Sequence, residues 1–225
     1  MTRVAITTDR FETVAREFTG LGMEPVSTPC IRVETAGDRV LTRAREASSG
    51  ADLVLITSPR TVGLLWPQGG MPPVAAAAVG VSSEAAIEAA GGRVVLRGRS
   101  GLASLVARAA EHLDFPRIVF PHAAGTDPES LRALRAMAPG LEEHEIYRAV
   151  PIAPGPASVG AVVFASPSAV AGWTRARDFD GLVVGVIGAT TGDALARFRA
   201  PDVVAPEPTH GSLARALMSY LEVHA

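Results

Sequence analysis

The sequence predicts an α/β protein built from two parallel-sheet domains, the first of them discontinuous. Three observations carry that prediction. Short apolar runs alternate with helix-patterned segments along the chain, as in parallel sheets covered on both faces. The chain also repeats itself. A shift of 108 residues lays Thr57-Ser-Pro-Arg-Thr-Val62 on Ala165-Ser-Pro-Ser-Ala-Val170, Gly80-Val-Ser-Ser83 on Gly188-Ala-Thr-Thr191, and Ser104-Leu105 on Ser212-Leu213. Finally, 225 residues that are 48% hydrophobic and 20% charged suffice for two domains with real cores.

In chain order, Arg3–Thr7 reads as a strand, Glu12–Leu21 as a helix and Pro25–Ile31 as a second strand. Asp52–Thr57 is a continuous apolar run, the mark of a strand buried on both faces, and Ser58-Pro59 turns it into a helix. Val74–Val79 is the next strand and ends at a glycine followed by hydroxyl residues. Arg93–Leu96 is a third strand, and Leu102–Leu113 is a helix with apolar residues recurring at three and four. Arg117–Pro121, a helix over Pro128–Met137 and Glu142–Tyr147 form a further strand-helix-strand unit. Asp127 is its N-cap and Pro128 its first helical residue. Ala161–Ala165, Leu182–Ile187 and Asp202–Ala205 repeat the earlier strands, and the helix Ser212–Val223 closes the chain.

The strand count divides the chain. The middle holds five strands, whereas the C-terminal repeat holds three and lacks a pair that residues 3–31 supply. Domain 1 is therefore expected over 1–33 plus 153–225, and domain 2 over 38–145, with linkers at 34–37 and 146–152. Two crossings make a hinge, and Pro151-Ile-Ala-Pro-Gly-Pro156 suits a linker.

Composition narrows the chemistry. A net charge of −2 argues against nucleic acid. No apolar run approaches the ~18 residues of a membrane span, and no signal-peptide core is present, so a soluble cytoplasmic protein is expected. The single cysteine, Cys30, excludes a disulfide framework and reads as an inert thiol. All 21 basic residues are arginine, which excludes lysine Schiff bases and lysine-bearing phosphate loops. There is no G-x-G-x-x-G after a strand and no G-x-S-x-G, and the five histidines show no metal-ligand spacing. His112 and His224 read as solvated, whereas His122 and His210 follow strands and are placed to line a cleft.

Parallel sheets bind ligands at the carboxyl ends of their strands. Those ends are uniformly hydroxyl-bearing: Thr7-Thr8, Thr57-Ser58, Ser82-Ser83, Thr126, Ser166, Ser168, Thr190-Thr191 and Thr209-His-Gly211. Each precedes or opens a helix, where free N–H groups attract anions, although serine and threonine there also serve as ordinary caps. Tyr147 ends a predicted strand where the chain leaves domain 2, which suits a hydroxyl directed into the cleft.

Taken in order, these segments resemble the uroporphyrinogen-III synthase family over essentially the whole chain. The resemblance rests on Thr7-Thr-Asp-Arg10, Asp52-Leu-Val-Leu-Ile-Thr-Ser-Pro-Arg-Thr-Val62, Val79-Gly-Val-Ser-Ser-Glu84, Tyr147-Arg148, Phe164-Ala-Ser-Pro-Ser-Ala-Val170, Ile187-Gly-Ala-Thr-Thr-Gly-Asp-Ala-Leu195 and Pro208-Thr-His-Gly-Ser-Leu213. Each motif is weak alone, but their order and spacing are specific. The resemblance implies two flavodoxin-like domains joined by a two-stranded connection. It also implies closure of hydroxymethylbilane to uroporphyrinogen III, in tetrapyrrole (haem, sirohaem, cobalamin) biosynthesis, with inversion of ring D, loss of water and no cofactor.

Under that resemblance, Tyr147 matches the family's important tyrosine and Thr191 a second influential position. The substrate's eight carboxylates suit a cleft of helix N-termini and hydroxyls, with charge-assisted pairs from Arg10, Arg60 and Arg148. Thr57, Ser58, Ser82, Ser83, His122, Ser166, Ser168, Thr190, His210 and Gly211 complete the expected binding set. Ser83 stands where the family has threonine, His122 where it often has arginine, and Gly192 where it usually has alanine. A monomer is expected, with a transient contact to the preceding pathway enzyme. The alternatives are a non-catalytic cytosolic tetrapyrrole binder or sensor of the same fold, a periplasmic-type binding protein, which the missing export signal disfavours, and a phosphate-handling flavodoxin-like protein. Scarce aromatics disfavour flavin in the last of these.

Overall fold

A computed structural model describes residues 1–98, 101–109 and 115–224. Among them the chain forms two compact units. The first is Met1–Val33 with Ala149–Ala225, and the second is Glu34–Arg148. Unit 1 holds strand β1 (Arg3–Ile6), helix α1 (Phe11–Thr19), β2 (Glu24–Ser27) and the start of β3 (Ile31–Thr35). Unit 2 follows with α2 (Asp38–Ser49), β4 (Leu53–Ile56), α3 (Pro59–Leu65), β5 (Ala75–Ala78), α4 (Val81–Ala89), β6 (Arg93–Arg97), α5 (Gly101–Ala109), β7 (Ile118–Ala123), α6 (Pro128–Met137) and β8 (Leu141–Pro151). The chain then returns to unit 1 through β9 (Ala161–Phe164), α7 (Pro167–Trp173), β10 (Val183–Val186), α8 (Ala189–Leu195), β11 (Val203–Val204) and α9 (His210–Val223).

The sheet of unit 1 runs β11-β10-β9-β1-β2, with its neighbouring strands parallel. Renumbered within the unit, this is the 2-1-3-4-5 order of flavodoxin-like folds. Unit 2 carries the sheet β3-β8-β7-β4-β5-β6, and β8-β7-β4-β5-β6 is the same spatial order reached from a different starting strand. The 108-residue shift carries Leu53–Ile56 onto Ala161–Phe164, Pro59–Leu65 onto Pro167–Trp173, and Ala75–Ala78 onto Val183–Val186. The repeat read in the sequence is thus a repeat of whole β-α-β units, with β1 and β2 standing in unit 1 where β7 and β8 stand in unit 2.

The central strands are apolar because both of their faces are covered. All four residues of β4, β5 and β9 are buried. Four consecutive alanines form β5 despite alanine's weak strand preference, so helix packing on both faces overrides propensity. The core of unit 2 gathers Leu53, Leu55, Leu105, Ile118, Phe120 and Leu134, and unit 1 has one core on each side of its sheet.

Three elements depart from the sequence reading. The strand expected over Pro25–Ile31 is two strands, broken at Thr28-Pro29-Cys30, where proline has no N–H to give a ladder. Residues 146–151, expected as linker, continue β8, which lies beside β3, and the Ala36 amide donates to Ile146 O at 3.0 Å. Tyr147 therefore sits inside a strand rather than at its end. Helix α2 is absent from the sequence reading. The end of the predicted helix, residues 110–113, with His112, lies outside the described residues.

Helix α9 tests the local rules. Thr209 caps it by accepting a hydrogen bond from Ser212 N at 3.1 Å. Thr209→Ala is expected to lower unfolding free energy by about 1 kcal/mol, seen as a shifted urea midpoint with unchanged slope.

Candidate functional site

In unit 2 the strand order reverses between β4 and β7, and the carboxyl ends there form the crevice where such sheets bind ligands. At the end of β4, Thr57 is half-buried, and Ser58 Oγ accepts from Arg60 N at 3.2 Å to start α3. The Arg60 guanidinium carbon lies 5.9 Å from the centre of the Tyr147 ring. Tyr147 is 8% exposed, and its carbonyl accepts from Ala124 N at 2.7 Å, tying β8 to the end of β7. The β7–β8 register slips between His122 and Ala123, so Ile146 and Tyr147 are both buried in succession.

His122 is buried beside this point, its ring stacked on Phe120 with centroids 4.7 Å apart. Its Nδ1 lies 2.9 Å from Ala123 O and 3.3 Å from Thr126 Oγ1, and its Nε2 lies 3.8 Å from Glu143 Oε2. Arg135 grips Glu143 with two hydrogen bonds of 2.6 and 2.8 Å. Those bonds hold the Glu143 carboxyl below its ordinary range against the opposing effect of burial. Ser82 and Ser83 open α4, the first exposed and the second buried.

Unit 1 presents the equivalent ends of β1, β9, β10 and β11. Thr7 Oγ1 donates to Val163 O at 2.7 Å and is consumed in holding β1 to β9. Ser166 Oγ accepts from Ala169 N and lies 3.2 Å from Ser168 Oγ, so this pair opens α7 together. Thr190 is exposed and Thr191 buried in the first turn of α8. Gly80 and Gly188 cap α4 and α8 with no side-chain acceptor, in contrast to Ser58, Ser166 and Thr209. The hydroxyls of that second group act first as caps.

His210 opens α9 with Nε2 buried and without a partner. Burial holds the imidazole below its ordinary pKa of 6.5, with Arg10 adding to that effect and Glu17 opposing it. A Cβ on Gly211 would come 2.8 Å from Glu17 Oε2, which places α9 against α1 at this corner. Because the folded pKa is depressed, the unfolded chain takes up the proton first on acidification. Stability contributed by His210 is complete above 6.5 and falls as pH drops below it. Melting temperatures followed through that range are expected to decline less steeply for His210→Gln than for the parent.

The structure thus brings Arg60, Tyr147 and His122 to one switch point, and Arg10 and His210 to one corner of unit 1. Arg148 is exposed, and strand alternation turns it away from the face that carries Tyr147. Glu143, Arg135 and Glu17 were missed by sequence reasoning, because only strand register and helix packing bring them to these places. A concavity of about 740 Å³ lined by Trp173, Arg177 and Asp178 lies at the amino ends of β9 and β10, the opposite end from the hydroxyl rim. Ligand binding by parallel sheets favours the rim over this depression. Cys30 is buried, and its thiol is pushed up to about 12 by burial, as suits an inert side chain. Among the described residues, no group of three His, Cys, Asp or Glu side chains forms a metal site, and no helix is long and apolar enough to cross a membrane.

Residues 12–215 match the family model described as "HEM4: Uroporphyrinogen-III synthase HemD". A mutant uroporphyrinogen III synthase from Thermus thermophilus superposes with a TM-score of 0.63 at 19% identity, covering 99% of this chain and 100% of that one. The enzyme described as uroporphyrinogen-III synthetase from Helicobacter pylori gives 0.63 at 12% identity, over 97% of this chain and 98% of that one. These structural likenesses establish the fold. A comparison with curated protein sequences finds no match.

Proposed function

Because the chain belongs to the uroporphyrinogen-III synthase family, with closure of hydroxymethylbilane to uroporphyrinogen III as its reaction, we propose that Tyr147 donates the proton that this closure requires. The carrying observation is its place: a mostly buried phenol at the switch point of unit 2, fixed by its backbone and faced by Arg60. A phenol O–H is able to serve as a general acid in a transition state. In that step the Tyr147 hydroxyl proton passes to the departing hydroxyl. The C–O bond electrons leave with water, and the methylene carbon is left as a cation conjugated with the ring A nitrogen. The proton that ring D loses on closure restores the phenol.

The binding roles are assigned on the same footing. Thr57, Ser58, Ser82, Ser83 and His122 in unit 2 take substrate carboxylates, as do Arg10, Ser166, Ser168, Thr190, Thr191, His210 and Gly211 in unit 1. The support is their position at strand ends and helix starts, where amides and hydroxyls favour anions. Positioning is the larger part of the task, since hydroxymethylbilane closes unaided to the wrong isomer. We further propose that the protein works as a cytoplasmic monomer and meets the enzyme that supplies the bilane only transiently.

The test is incubation with freshly made hydroxymethylbilane, oxidation of the products and separation of the I and III isomers. Predominant isomer III at a rate above the spontaneous reaction is expected. Isomer I alone, at the spontaneous rate, would leave only a tetrapyrrole-binding role.

A further inference from the structure

We propose that Arg60 is a positioning residue for Tyr147 rather than a partner of a substrate carboxylate, an inference that rests on Tyr147 as proton donor. Arg60 is the second residue of α3, and its amide is pinned by the Ser58 cap at 3.2 Å. The start of this helix is therefore fixed. From there the guanidinium reaches over the Tyr147 ring, 5.9 Å from its centre, within the range of a cation–π contact. Both residues are mostly shielded, Tyr147 at 8% exposed and Arg60 half-buried, which reduces screening of the contact by water.

The consequence for the reaction follows from charge. When the phenol gives its proton to the departing hydroxyl, negative charge grows on the tyrosine ring. A guanidinium already seated over that ring stabilises the charge as it forms, with no rearrangement at the moment of transfer. The same contact fixes the ring plane, and so the direction of the hydroxyl. Arginine suits the position because its planar, weakly hydrated cation stacks on an aromatic face. A contact that strengthens only as the proton leaves lowers the barrier without tightening substrate binding. The effect of Arg60 therefore belongs in kcat. A carboxylate partner, by contrast, would act on KM.

The experiment is a double-mutant cycle on the full chain. Arg60→Gln and Arg60→Lys are each made in the parent and in Tyr147→Phe, and kcat and KM are measured for isomer III formation. In the parent, Arg60→Gln is expected to lower kcat about tenfold while KM stays within about twofold. Arg60→Lys is expected to recover part of the loss. In Tyr147→Phe, Arg60→Gln is expected to add no further loss in kcat, because no proton remains to be given. An equal loss in both backgrounds, or a rise in KM with kcat unchanged, overturns the positioning role. Failure of the underlying reading is distinguishable: Tyr147→Phe by itself would then leave kcat at the parent value. Far-UV circular dichroism of each variant confirms that the comparison is between folded proteins.

Discussion

Tyr147→Phe is expected to lower kcat for uroporphyrinogen III formation by about one to two orders of magnitude, at or below the lower end of the range for a lost general acid. The lower end applies because the hydroxyl of this substrate also departs without help. The substitution removes one oxygen from a side chain that is 8% exposed, so the ring still fills its place in β8. The Ala124–Tyr147 backbone bond that anchors the strand is untouched. KM is expected to change little, and the thermal midpoint to stay near that of the parent. A slowed enzyme also leaves more substrate to close spontaneously, so isomer I should rise in the product mixture. A parent-like rate with a parent-like isomer ratio would remove Tyr147 from the reaction.

Gly172→Ala is expected to cause a large loss of stability. Gly172 lies in α7, and a Cβ there would fall inside contact distance of Cys30 O and 2.7 Å from Ile152 O. Those carbonyls belong to the two stretches where the chain leaves and re-enters unit 1, and Ile152 N donates to Cys30 O at 2.9 Å. Neither obstacle is the flexible end of a side chain, so relief requires α7 or the backbone pair to move. Overpacking of this kind costs about 1–3 kcal/mol, and backbone obstacles place this site toward the upper end. Neighbouring Trp173 is fully buried against Phe164 and Phe179, with its Nε1 donating to Asp178 O at 2.8 Å, so a shift of α7 also disturbs that core. A lowered urea midpoint together with altered tryptophan fluorescence would register both effects. An unchanged midpoint would mean that α7 does not rest on this pair.

The parts of the fold that the sequence made legible are those written in local pattern. Buried parallel strands appear as apolar runs, and the shift that aligns Ser58-Pro59 with Ser166-Pro167 carries strands and helices together. Helix α2 escaped notice although Leu41, Ala44, Ala47 and Ser48 recur at helical spacing on its buried face, because the 108-residue shift carries it onto 146–157, where no helix stands. The break at Pro29 is written in the proline itself and was passed over, whereas the extension of β8 to Pro151 depends on which strand lies beside it, which no local window contains. At the candidate site, strand-end position singled out His122 and the hydroxyl residues, and Tyr147 was singled out by an expected strand end that lies inside β8. The Arg60–Tyr147 contact and the Arg135–Glu143–His122 chain were invisible, because they arise from the β7–β8 register and from the side on which α3 and α6 pack.

Backbone amide NMR of the ¹⁵N-labelled protein, titrated with uroporphyrinogen III under anaerobic conditions, decides whether the carboxyl-end rim of each sheet binds the polyacidic tetrapyrrole as proposed. The largest shifts are expected at Arg60, Ser82, Ser83, Tyr147, Ala169, Thr190, Thr191 and Gly211. Little change is predicted at Ser158, Arg177 and Asp180, which line the concavity at the opposite strand ends. Saturable shifts confined to that concavity, with the rim amides unmoved, would contradict binding at the rims.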